Sequence, residues 1–162
     1  MRRGSAVLIG TLALALTAVA GWAAIPGETP FPSPTIKNVF VSSRTVTAAS
    51  SPAGPGVLTN YYSRGSTVVF QVFAGATKTG KILTANDVKY AYVKLPDGTK
   101  IKLTYKEPAN TTDPAWSGTW TIPANYAPKV VDFVVRFQTK DKQYGNFVQI
   151  PVSTSQLTVT AA

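Results

Sequence analysis

The chain holds sixteen lysines and arginines, seven aspartates and glutamates, and no histidine or cysteine. Without the last two, the usual zinc and copper ligand sets and every histidine-based triad or general base are excluded. Paired-carboxylate catalysis needs two acids within about 5–10 Å of each other. Glu28, Asp87, Asp97, Glu107, Asp113, Asp132 and Asp141 show no spacing that suggests such a pair. Several fall at expected turns, where aspartate bonds back to its own chain. Calcium calls for oxygen ligands clustered in a loop. Only Asn86-Asp87 and the stretch from Asp141 to Asn146 hint at that, and lysines crowd the second. The residue types point away from catalysis and cofactors and toward a non-catalytic protein.

Binding chemistry is better represented. Tyr90, Tyr92 and Lys94 alternate along one stretch, and Lys100 and Lys102 along the next. Aromatic side chains supply contact area at low entropic cost, and lysines attract anions. Basic and aromatic residues together also suit single-stranded nucleic acid, but an export signal argues against that partner. An acidic protein, an acidic glycan or an anionic surface fits better. Trp116 is a candidate exposed aromatic, because it opens a strand where a ring could stack on a sugar. Trp120, with Ile122 on the same face and Ser/Thr on the other, reads as core. Asn110-Thr111-Thr112 matches an N-glycosylation acceptor in a loop.

These residues are placed by two hairpin strands, from Val88 to Leu95 and from Thr99 to Lys106, around Pro96-Asp97-Gly98. Proline presets φ, aspartate hydrogen-bonds locally, and glycine takes positive φ. The turn predicts that Leu95 pairs with Thr99. Val93 then faces Ile101, and Ala91 faces Leu103, which makes one side apolar. The opposite side pairs Lys94 with Lys100, Tyr92 with Lys102, and Tyr90 with Thr104.

The same period of two recurs along the chain. Val68, Phe70, Val72 and Ala74 share a face, and Val69 and Phe73 make the other face apolar too, as in a central strand. Further strands are expected from Ile36 to Thr47, from Val57 to Tyr62 at an edge, from Trp116 to Ile122, from Val130 to Thr139, and from Phe147 to Thr160. In the Val130–Thr139 stretch, Val131, Phe133, Val135 and Phe137 point inward, and Asp132, Arg136 and Gln138 outward. No helical period is sustained after residue 35. Seven or eight short strands with frequent turn signals predict an all-β sandwich.

Ahead of this domain, Arg2 and Arg3 precede an apolar run from Val7 to Val19 and a small-x-small site at Ala18-Val19-Ala20. That order is a secretory signal, expected as a hydrophobic helix over residues 1–20. Retention as a membrane anchor is the alternative. Cleavage after Ala20 removes two of the sixteen basic residues and leaves a basic product. Residues 21–35, with Pro26, Pro30, Pro32 and Pro34, form a semi-rigid spacer before the domain at 36–162. The expected location is secreted, periplasmic or on the cell surface.

Along the chain follow Val68-x-Phe70-x-Val72, Lys94-Leu95-Pro96-Asp97-Gly98, Gly118-Thr119-Trp120, Phe133-x-Val135-x-Phe137-x-Thr139-Lys140-Asp141 and Gly145-Asn146. In this order the motifs resemble bacterial and archaeal immunoglobulin-like domains of exported proteins. The resemblance spans Ile36 to Thr160. It implies a two-sheet Greek-key sandwich that serves as a spacer, adhesion unit or accessory domain of an exported or membrane-associated complex. The cysteine pair of antibody domains is missing here. Two other readings stand beside it. One is a pilin-like or fibre subunit processed after Gly4, and the other is a carbohydrate-binding module.

Overall fold

The computed structural model describes residues 36–110, 112–148 and 157–161. The expected signal and spacer, residues 1–35, lie outside the described residues. The strands in chain order are β1 (Ile36–Lys37), β2 (Val39–Thr47), β3 (Tyr61–Ser63), β4 (Thr67–Ala76), β5 (Val88–Lys94) and β6 (Lys100–Lys102). They continue as β7 (Thr104–Tyr105), β8 (Trp116–Thr121), β9 (Lys129–Val131), β10 (Val134–Thr139), β11 (Tyr144–Val148) and β12 (Leu157–Thr160). No helix occurs among the described residues.

Three sheets result. One has five strands in the order β1-β11-β10-β5-β6, and one has four in the order β2-β4-β8-β7. A small third sheet, β3-β12-β9, is mixed, since β12 runs parallel to β3 and antiparallel to β9. The two larger sheets face each other in a sandwich. Between them lie Val68, Phe70 and Val72 from β4, Val93 from β5, and Val135 and Phe137 from β10, all at most 1 % exposed. Aromatic edges cross the gap, with the Trp116 and Phe137 rings 5.3 Å apart and nearly perpendicular. β4 pairs on both sides, with β2 and β8. It is central in its sheet, as expected, and Val69 and Phe73 on its second face are half-buried.

Among the described residues twelve strands stand where seven or eight are expected, because three stretches that read as one strand change sheets partway. The first turns at Asn38, which takes φ 66° between β1 and β2. Short polar asparagine tolerates that left-handed geometry. The second change is at Leu103, between β6 and β7. As a consequence Thr104 pairs with Ser117 of β8 rather than with Tyr90. The third comes at Asp132-Phe133, between β9 and β10. An alternating pattern marks burial, and it carries no sign of which sheet supplies the hydrogen bonds. The edge strand expected from Val57 is shorter, starting at Tyr61, with Leu58 making only an isolated bridge to Val46.

Candidate functional site

The hairpin forms in the expected register. Leu95 donates its amide to the Thr99 carbonyl at 2.9 Å. The Asp97 carboxylate accepts the Thr99 amide at 2.8 Å, and Gly98 has φ 89°. Tyr92 lies opposite Lys102, Val93 opposite Ile101, and Lys94 opposite Lys100. Val93 and Leu103 are buried, while Lys94, Lys100 and Lys102 point to solvent.

Sheet pairing enlarges this face beyond the hairpin. β10 places Arg136 opposite Tyr92 and Gln138 opposite Tyr90. β11 then places Tyr144 opposite Gln138. The rings of Tyr90 and Tyr92 lie 5.6 Å apart, and the Lys100 ammonium sits 5.4 Å from the centre of the Tyr92 ring. The Gln138 amide donates to the Tyr144 hydroxyl at 2.6 Å. That bond explains why Gln138 is only 8 % exposed although it lies on the outer side. Desolvation by this clustering, followed by the neighbouring Tyr92 and Tyr144, pushes the Tyr90 hydroxyl above its ordinary pKa. Arg136 brings a buried guanidinium Nε with no hydrogen-bond partner. A buried donor left unpaired is uncommon and calls for an acceptor. Tyr144, Gln138 and Arg136 were not legible as part of the site, because their stretch could have paired with any strand.

Charge separates the two main sheets. The strands of the five-stranded sheet include Lys37, Lys89, Lys94, Lys100, Lys102 and Arg136 and contain no aspartate or glutamate. The four-stranded sheet has one cation, Arg44, whose Nε donates to Gln71 at 2.9 Å.

Trp116 is not an exposed aromatic. It is 5 % exposed, and its indole N–H donates to the Leu83 carbonyl at 2.9 Å. Tyr105 packs on its other side, at 5.3 Å. The strand opens inside the core, after Ala115 with no exposure, so the first residue of β8 points between the sheets. Trp120 and Ile122 are buried, as the alternation predicts.

The two oxygen-rich segments do meet. Asn86, Asp87 and Asp141 line one cavity of about 280 Å³ between loops. Asp87 is already engaged there. Its carboxylate takes the Lys81 ammonium at 2.8 Å and the Thr84 amide at 3.0 Å. Lys81 first, then Thr84, hold its pKa down at about 2. Asp141 accepts a hydrogen bond from the Thr139 hydroxyl. Among the described residues no three acids gather closely enough to ligate a metal. Both segments serve their turns.

No family model matches this sequence, and neither a curated protein nor a solved structure matches it.

Proposed function

We propose that this chain is an exported, non-catalytic immunoglobulin-like module that binds an acidic protein partner through the outer face of its five-stranded sheet. The charge of that face carries the reading. Six cations stand on strands that hold no acid, and Lys94, Lys100, Lys102 and Arg136 share a face with Tyr90 and Tyr92. Lys94 and Lys100 lie directly opposite each other, an arrangement that destabilises a free sheet. A partner's carboxylates would relieve that repulsion. Tyrosine and arginine are the residue types that carry binding energy at protein interfaces.

Strand order supports the immunoglobulin-like part. The order β2-β4-β8-β7 corresponds to A-B-E-D, and β11-β10-β5-β6 to G-F-C with an added C′. β1 and the small third sheet are additions to that plan. Export rests on the signal pattern at residues 1–20, and predicts Gly21 as the mature N-terminus. Ser5 in its place would instead support the pilin-like subunit.

The test is in-cell cross-linking with capture of the tagged chain from the envelope fraction. Reversal of Lys94, Lys100 and Lys102 to Glu should abolish the cross-linked partner. Reversal of three loop lysines, Lys78, Lys106 and Lys140, should leave it. Equal capture by both triple variants, each folded by circular dichroism, would reject the face.

A further inference from the structure

A second concave site lies away from the basic face. The loop from Ala48 to Gly56 leaves β2 and returns alongside its end at Thr47. Its two ends are tied together. Thr47 and Val57 are joined by an amide-to-carbonyl bond of 2.9 Å, and the Thr47 hydroxyl donates to Gly54 at 2.5 Å. Within it, Gly54 donates to Ser51 at 2.9 Å. Under this loop is a cleft of about 510 Å³. That volume falls in the range of small-molecule sites. Its floor is fixed as well, since Gly65 donates to Ile122 at 3.0 Å and the Ser66 hydroxyl to Ser63 at 2.6 Å.

The lining has a narrow chemistry. Ser50, Ser51, Ser63, Ser66 and Thr67 present hydroxyls, and no charged side chain takes part. At the rim stands Tyr61, 68 % exposed, a large ring with no packing reason to be there. On β3 its neighbour Tyr62 points into the core at 5 % exposure, so the pleat directs Tyr61 outward.

We propose that this cleft binds a neutral sugar ring. Hydroxyls that both donate and accept match a ligand that is itself polyhydroxylated. An exposed aromatic ring offers a flat apolar surface to the C–H face of a pyranose. The lack of charge excludes recognition of uronic acids or phosphosugars by ion pairing. Anchoring at both ends keeps the loop in place before binding, which lowers the entropic cost. The site owes nothing to the basic face, so each stands or falls separately.

Titration of the labelled full domain with cellotriose, maltotriose and chitotriose, followed by amide NMR shifts, tests the assignment. At millimolar sugar, at least one should shift the amides of Ser50, Ser51 and Tyr61 through Thr67. Tyr61→Ala, at an exposed position, should weaken that binding at least about tenfold, and Tyr61→Phe should keep it within about twofold. The proposal is overturned if none of the three moves these amides. It is also overturned if the shifts fall on the Tyr90–Tyr92 face, or if Tyr61→Ala binds as tightly as the unaltered chain.

Discussion

Val39 covers Gly145 so closely that no side chain fits between them. A Cβ at position 145 would lie 2.5 Å from the Val39 carbonyl oxygen and 2.8 Å from its Cβ. Val39 belongs to the four-stranded sheet and Gly145 to the five-stranded one, so this contact sets how closely the sheets meet at that edge. The blocking atoms are backbone and near-backbone and cannot rotate away. Gly145→Ala should therefore cost about 3 kcal/mol, as overpacking does at its upper end. A thermal melt would show it, and an unchanged Tm would mean that the edge is looser than this contact implies.

Trp116 is a core residue with a buried polar tip, and its substitutions should behave accordingly. Trp116→Phe keeps a ring but leaves the Leu83 carbonyl unpaired, at about 2 kcal/mol. Trp116→Ala should cost about 4 kcal/mol through the cavity it opens. Denaturant midpoints measure both. Sugar or partner binding by the folded Phe variant should be unchanged, which separates packing from recognition.

Asp87 makes the domain acid-sensitive in a defined window. Its carboxyl is held at about 2 against a free value of 3.8, chiefly by Lys81 and the Thr84 amide. The folded state therefore favours the ionised form. The resulting stability is complete above about pH 4 and is lost as pH falls from there toward 2. Lys81 is 62 % exposed, so water screens the pair and the loss should be about 1 kcal/mol. Melting wild type and Asp87→Asn across that range should bring the two curves together at low pH.

Tyr62 sets the alkaline limit. Burial raises its hydroxyl from 10.0 to about 12, against a smaller lowering by its hydrogen bond with Thr45. The phenolate is thus disfavoured when folded. Stability is intact below pH 10 and declines as pH rises through about 12, by about 2 kcal/mol. Tyr62→Phe should lose less stability across that interval. Identical alkaline unfolding in both proteins would assign the transition to another group.

The opposed lysines give a test that needs no partner. Added salt should stabilise the free domain, and Lys94→Glu should stabilise it at low salt by about 0.5 kcal/mol, seen as a higher Tm. The gain should shrink at high salt. A decrease in Tm would indicate that Lys94 already has a compensating contact.

The sequence was most informative where two local rules agreed. Turn chemistry at Pro96-Asp97-Gly98 and alternation on either side fixed the register of Tyr92, Lys94, Lys100 and Lys102. Burial was legible for the same reason, as Val131, Phe133, Val135 and Phe137 are all inside. Pairing between distant strands was not legible. Nothing local told that Arg136 would lie opposite Tyr92, or that Thr104 would leave its hairpin for β8. The Tyr61 cleft was hidden too, because its hydroxyls come from a loop and two strands whose meeting depends on the whole fold.

One consequence of the small third sheet concerns time. β12 fits between β3 and β9, and Thr160 reaches a carbonyl of Tyr62, 98 residues earlier. Leu157 and Val159, both at most 1 % exposed, come opposite Val131 and Tyr62. A growing chain must therefore wait for these residues before its interior can close. Until then the edges of β3 and β9 stay open to pairing with other chains. A product cut short before Leu157 would keep them open, and would be recognisable as incomplete by protease and by its tendency to aggregate.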